Sequence, residues 1–243
     1  SDKLVYLSNR TLGFPRLFFC PACNQKVLAW LPLSRDIGYG ESNIEPGGRM
    51  CPHCKTLERT RHFSIYLKQQ GVLEQFPRLL HFAPESSLAQ ALRTKLGNRY
   101  VSTDLFMDGV DQKQDITKMS FEDHSFEFIY CSNVLEHIED DHGAMCELFR
   151  VLAPGGCAII QVPIKGTVTY EDASIIDPRE RYRHFGQADH VRYYGEDIQG
   201  RLERVGFTVE PFYMPDTLGL SSQEIDRMNL GKRELIHKCT KPA

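Results

Sequence analysis

Residues 125–162 read SFEFIYCSNVLEHIEDDHGAMCELFRVLAPGGCAIIQV, and the placement of their apolar positions decides the fold. Phe126 to Cys131 is a short, largely apolar run interrupted only by Glu127, the signature of a buried strand. Gly143 to Leu152 brings Met145, Leu148, Phe149 and Leu152 to one face at helical spacing, and Pro154-Gly155-Gly156 predicts the helix stop. Cys157 to Val162 is again a buried strand. Runs that do not alternate with polar residues belong to strands covered on both faces, and strand, helix, strand in close succession is a parallel crossover.

The same pattern extends in both directions. Arg78 to Ala83 predicts a strand, and Ser86 to Leu96 a helix with Leu88, Leu92 and Leu96 on one face. Arg99 to Thr103 predicts a strand ending at Asp104. Glu196 to Val205 predicts a helix capped by Gly206, and Phe207 to Tyr213 a closing strand. The expected fold is therefore α/β, a Rossmann-like, doubly wound parallel sheet over residues 76–243. Such sheets bind ligands beyond the carboxyl ends of their strands. Those tips are Phe82 to Ser86, Asp104, Asp115, Cys131 to His137 and the segment after Val162.

Residues 1–75 have a different character. Cys20-Pro-Ala-Cys23 and Cys51-Pro-His-Cys54 repeat one knuckle, separated by 27 residues containing Gly38, Gly40, Gly47 and Gly48. Two residues between cysteines let the backbone turn around one ion, and four thiolates complete the tetrahedron that zinc favours. The expectation is a small zinc-ribbon-like module with a structural zinc and no open coordination position, its long linker folded as a hairpin. A redox pair and unrelated cysteines are the competing readings. His53 is expected to be a bystander. Leu57 to Gln70 predicts a helix with Phe63, Tyr66 and Leu67 on one face. Cys131, Cys146 and Cys157 are expected to be buried thiols.

The 243 residues are 41% hydrophobic and 25% charged, which excludes disordered, collagen-like and coiled-coil chains. Net charge is −3, divided as +4 in residues 1–75 and −7 beyond, with no run of five like charges, so a general nucleic-acid coat is not expected. No apolar stretch reaches the roughly 18–20 residues of a membrane span, and SDKLVYLSNR at the start lacks a signal-peptide core. A soluble, cytoplasmic protein is expected. Oligomeric state has no signal in the sequence.

Asp104 falls 21 positions after Ala83, the placement of an acid that accepts hydrogen bonds from a ribose diol, though strand-end aspartates also cap the next element. Asp115 is suited to an exocyclic adenine amine with Ile116 packed on the ring. Together with Val101-Ser-Thr-Asp104-Leu, Asp115-Ile-Thr, the run Ser125 to Ile138 and Leu148 to Gly156, the sequence resembles class I S-adenosylmethionine-dependent methyltransferases, in particular the type 11-like branch, over about residues 78–213. The resemblance implies S-adenosylmethionine as cofactor. It places the ribose at Asp104 and Leu105, adenine at Asp115 and Ile116, and the methionine end beside Cys131, Ser132, Asn133 and His137.

One loop departs from that family's glycine-rich pattern. His81-Phe82-Ala83-Pro84-Glu85 stands where acid and G-x-G-x-G are usual, so Phe82, Ala83 and Pro84 form a different loop, with Glu85 as the acid facing the cofactor's ammonium. The sequence is similar to a subgroup that combines this loop with N-terminal cysteine knuckles and a segment like His184 to Gly195.

The connection from Val162 to Glu196 is long, rich in titratable and aromatic residues, and reads as an active-site lid. Its candidates for proton transfer are His184 and His190, with Asp189 orienting one of them. His137 is a third candidate, expected to pack or support. Arg179, Arg183 and Arg192 are expected to grip an anionic group on the acceptor. The leading expectation is O- or N-methylation of a small-molecule or glycan-like acceptor. An RNA methyltransferase gripping its substrate with the cysteine module is the alternative, and a non-catalytic binding protein on the same scaffold is a third.

Overall fold

The computed structural model describes residues 17–230 and 235–243. Two hairpins come first: β1 (Phe18–Cys20) with β2 (Gln25–Val27), and β3 (Leu31–Gly38) with β4 (Glu41–Met50). The expected helix follows as α1 (Glu58–Gln69), then α2 (Val72–Gln75). The alternating part runs β5 (Leu79–Phe82), α3 (Ser86–Leu96), β6 (Tyr100–Asp104), β7 (Gln112–Lys113), β8 (Phe126–Ser132), α4 (Asp141–Val151) and β9 (Leu152–Gln161). The long connection holds β10 (Tyr170–Glu171), α5 (Pro178–Phe185) and β11 (Arg192–Tyr193). The described chain ends with α6 (Ile198–Val205), β12 (Thr208–Tyr213), α7 (Ser222–Met228) and β13 (Leu235–Thr240). Among the described residues no helix is long and apolar enough to cross a membrane.

A seven-stranded sheet in the order β12-β13-β9-β8-β5-β6-β7 is the frame of the molecule. Its five strands from β9 to β7 are parallel. The largely apolar runs are explained by burial on both faces. Leu79, Phe128, Tyr130 and Ile159 point into one core with α1 and α3, and their neighbours Leu80, Ile129, Cys131 and Ile160 point into the other with α4 and α6. Leu88, Leu92 and Leu96 of α3 are all buried, each contributing about 1.5–3 kcal/mol over exposure. From α1, Phe63 stacks on Tyr130 with ring centroids 3.6 Å apart, so the helix after the knuckles is part of the sheet's own core.

Three expectations are corrected. The sheet is mixed: β13 lies antiparallel between β12 and β9, a strand absent from the sequence reading because Leu-Ile-His-Lys-Cys-Thr alternates too weakly to signal one. Helix α4 starts two residues early, at Asp141, because Asp140 caps it by accepting from the Gly143 N–H at 2.9 Å. It also ends before Leu152, and Pro154-Gly155-Gly156 lies within β9. The residue before proline avoids helical backbone, so the chain is extended before reaching it. Finally, Cys146 is exposed on α4, whereas Cys131 and Cys157 are buried as expected.

Candidate active site

The four knuckle cysteines converge. Cys20 and Cys54 sulfurs are 3.6 Å apart, and those of Cys23 and Cys51 3.9 Å. Four thiolates at about 2.3 Å from one tetrahedral zinc would stand about 3.8 Å apart. The donor set therefore fits the ion in chemistry and in spacing. Trp30 closes the module's small core, and the guanidinium of Arg61 stacks 4.2 Å over its ring. Arg61 is fully buried, donates to the carbonyls of Arg49 at 3.0 Å and Thr56 at 2.8 Å, and reaches Asn229 beyond α7. One cation thereby ties the knuckles to the far end of the chain. His53 contacts Lys26 O at 3.2 Å and takes no part in the sulfur cluster.

At the sheet's carboxyl edge, β5 and β8 both leave through left-handed residues, Ala83 at φ 45° and Asn133 at φ 54°. Without glycine there, Ala83 carries a conformation that costs an L-residue about 1 kcal/mol or more. Its N–H donates to Thr103 O at 3.0 Å. Glu85 is not an open acid. Thr60 donates to it at 3.0 Å, His81 contacts it at 3.2 Å, and Arg59 lies 3.7 Å away. Burial alone would raise its carboxyl, but these neighbours outweigh that and lower it.

Asp104 accepts the N–H groups of Phe106 and Met107 at 2.8 Å through Oδ1 alone. Among the described residues Oδ2 has no partner, which leaves the acid half of a ribose contact at the tip of β6. Leu105, Phe106 and Met107 beside it are exposed. Asp115 accepts from the N–H and hydroxyl of Thr117, which lower its carboxyl, and Ile116 is buried. Ser132 Oγ lies 3.2 Å from both Asn133 Oδ1 and Gln161 Oε1. Phe82 and Cys131 are core residues.

A cavity of about 650 Å³ opens beside these tips. Asn133, Glu136 and His137 form its floor after β8, and Gln161 to Ile164 continue it after β9. Gln187, His190, Tyr193 and Glu196 face it from the long connection; Leu33, Arg49 and Arg59 face it from the cysteine module. The long connection thus borders the cavity, as do residues of the cysteine-bearing part of the chain. Asp104, Asp115 and Glu85 do not line this space.

The candidates for proton chemistry separate. His190 is 4% exposed and its Nδ1 faces Phe185 O at 3.0 Å. Its ring meets that of His137 edge-on, with centroids 4.6 Å apart. Asp189 pairs with His137 at 3.2 Å, not with His184 or His190 as expected, because the turn carrying it folds back over the tip of β8. Burial would lower the His137 ring, but Asp189 and Glu136 outweigh it and raise it. His184 contacts the Tyr170 hydroxyl at 2.8 Å on the exposed side of α5 and does not line the cavity.

None of the three expected arginine grips lines the cavity either. Arg179 pairs with Glu41 and Arg183 with Glu180. Arg192 is buried, donating to the carbonyls of Leu135, Ile138 and Glu139 and to Glu171 at 2.8 Å, where it staples the lid to the turn after β8. Arg49 and Arg59 are the guanidiniums at the cavity, each beside a carboxylate, Arg49 at Glu45 and Glu58 and Arg59 at Glu85.

Sequence reasoning also passed over Glu136. It is 1% exposed, accepts from Asn133 Nδ2 at 3.0 Å through Oε1, and keeps Oε2 buried with no hydrogen-bond partner. Burial raises its carboxyl. The signal was the adjacency Glu136-His137 just after an apolar strand, an acid where the strand-end turn requires none.

Residues 67–160 match the model of the family described as a methyltransferase domain. Among solved structures, the chain is similar to an S-adenosylmethionine-dependent methyltransferase from Archaeoglobus fulgidus, at 12% identity and a TM-score of 0.52, covering 77% of this chain and 96% of that one. It is also similar to phosphoethanolamine N-methyltransferase 2 from Haemonchus contortus bound to S-adenosylhomocysteine and phosphomonomethylethanolamine. That match has 17% identity and a TM-score of 0.52, over 76% of this chain and 53% of that one. No curated protein sequence matches the chain. At these identities the likeness to solved structures is one of fold alone, and the family model matches 94 of the 243 residues.

Proposed function

We propose that this chain is an S-adenosylmethionine-dependent methyltransferase that methylates an oxygen or nitrogen of a small-molecule or glycan-like acceptor held in the cavity between the lid and the cysteine module. The observation that carries the acceptor class is the cavity: about 650 Å³, walled on both sides by the chain itself, a size that suits a small ligand. A polynucleotide would need an open basic groove with exposed aromatics, whereas Arg49 and Arg59 at this cavity are already beside carboxylates.

The cofactor's contacts follow the tips. Asp104 would accept the ribose through Oδ2, Asp115 and Ile116 would meet adenine, and Ser132 with Asn133 would border the methionine end; Phe82, Cys131, Ala83 and Pro84 shape the floor. Bound S-adenosylmethionine supplies an electrophilic methyl group. The protein's part is to exclude water and hold the acceptor in line. The proton that the acceptor loses is taken up at the wall formed by Glu136, His137 and His190, with Asp189 holding His137. The cysteine module, proposed as residues 1–75 with a structural zinc, supplies the other wall. A division at residue 75/76, with α1 of the first part packed into the sheet's core, and a cytoplasmic location complete the proposal.

Calorimetric titration of the zinc-loaded chain with S-adenosylhomocysteine tests the cofactor reading. Asp104→Ala should weaken binding about ten- to a hundred-fold, as expected for losing a charge-assisted hydrogen bond of about 1.5–3 kcal/mol. Wild-type protein that is folded and metal-loaded yet binds neither S-adenosylmethionine nor its product would reject the reading.

A further inference from the structure

We infer that Glu136, His137 and His190 form a second metal site, distinct from the four cysteines, which takes a divalent transition-metal ion at the floor of the cavity. One donor atom from each residue lies within 4.8 Å of the others. All three residues line the same cavity.

Each histidine has an oxygen acceptor at Nδ1. His137 meets the Asp189 carboxylate at 3.2 Å and His190 meets the Phe185 carbonyl at 3.0 Å. An Nδ1–H held in this way makes Nε2 the lone-pair nitrogen, and a carboxylate or carbonyl behind the ring is the usual support of a metal-binding imidazole. The third donor is the independent sign. Glu136 Oε2 is buried without a hydrogen-bond partner, although the other oxygen of the same carboxylate is held by Asn133. A buried carboxylate oxygen left unpaired is costly, and a cation in the adjoining space removes that cost.

The ligand set selects the ion. Two imidazoles and one carboxylate suit zinc, iron(II), cobalt(II) or manganese(II), whereas magnesium and calcium prefer oxygen donors alone. At bond lengths of about 2.1 Å neighbouring donors stand roughly 3.0–3.4 Å apart, so binding would draw these three together by side-chain rotation. Three protein ligands leave positions open toward the cavity, where an oxygen of the acceptor can complete the shell and become more acidic. This last point rests on the proposed acceptor site. With the ion bound the two rings are ligands, and the proton of the acceptor oxygen would leave to water in the cavity rather than to them.

Cobalt(II) is the probe. The full-length chain, treated with a mild chelator and titrated with cobalt(II), should take up an equivalent whose visible absorption lacks the sulfur charge-transfer bands of a thiolate site. Glu136→Gln, His137→Gln and His190→Gln should each abolish that equivalent while circular dichroism stays unchanged. Asp189→Asn should weaken it about ten- to a hundred-fold. His137 is partly exposed, so its variant preserves the test if the buried ones misfold. Uptake only with thiolate bands, or a sulfur-free equivalent that survives all three substitutions, would overturn the inference. Binding of S-adenosylhomocysteine is read separately: its absence in protein that still takes the sulfur-free cobalt would reject the cofactor reading and leave the metal site standing.

Discussion

Gly186 shows how closely single residues position the cavity. It ends α5 at φ 81°, and a Cβ there would lie 1.9 Å from the Tyr193 hydroxyl and 2.9 Å from its ring carbon. Tyr193 faces the cavity, so Gly186→Ala must strain the backbone and displace this ring. A loss of about 1–3 kcal/mol in urea unfolding is expected, with a larger fall in acceptor turnover than in S-adenosylhomocysteine affinity. Equal losses in both would argue that the ring does not touch the acceptor. The place of Asp104 at the end of β6 was legible from the apolar run before it, whereas its role was not, because spacing alone leaves a cap of the next turn and a ribose acceptor both open. The partners of Asp189 were not legible either. Two histidines, His184 and His190, lie near it in sequence, and only the fold of the turn brings His137 to it.

At the scale of elements, Asp111 clips α3 to the β6–β7 edge. Arg93 grips it with two nitrogens at 2.6 and 3.0 Å, and the Ser102 N–H and hydroxyl donate at 2.8 and 2.7 Å. Burial would raise this carboxyl, but Arg93 and Ser102 outweigh it and hold it at about 2, below the usual 3.8. The stability it supplies is therefore complete above about pH 4 and lost as pH falls toward 2. Asp111→Asn should be less stable than wild type at neutral pH, with the difference closing between about pH 4 and 2 in urea midpoints. A difference that stays constant through this range would refute the clip. Sequence pattern located α3 to the residue, since Leu88, Leu92 and Leu96 leave one register open. It shifted the ends of α4, where an aspartate cap and a proline three residues downstream both act outside the apolar pattern. It missed β13 because polar residues such as the buried His237 and the half-buried Lys238 break the signal of a central strand.

Over the whole molecule, two buried histidines set the acid limit. Burial lowers His237 to about 4, and burial with the nearby Arg61 charge lowers His62 to about 4. The unfolded rings protonate near 6.5, so the unfolded chain binds more protons between about pH 6.5 and 4. Stability is full above that window and declines as pH falls through it. His237→Leu should flatten the slope of unfolding free energy against pH; an unchanged slope would assign the acid sensitivity elsewhere. Pattern reading identified the sheet, the knuckles and the lid as separate parts. The cavity between them was illegible, because Leu33 and Arg49 of the module reach it through a tertiary approach that no local spacing encodes.

The antiparallel insertion of β13 also bears on how the protein is made. On a ribosome β9 emerges long before the strand that must flank it, with 79 residues separating Gln161 from Thr240. At about 5–20 residues per second, synthesis leaves that edge of the nascent sheet unpaired for about 4–16 s. Ile159 and Ile160 lie on this open edge, so the newborn chain offers a sticky strand to its neighbours until Thr240 has been added. Growth at high expression levels should therefore favour aggregates seeded by incomplete chains rather than by the folded protein.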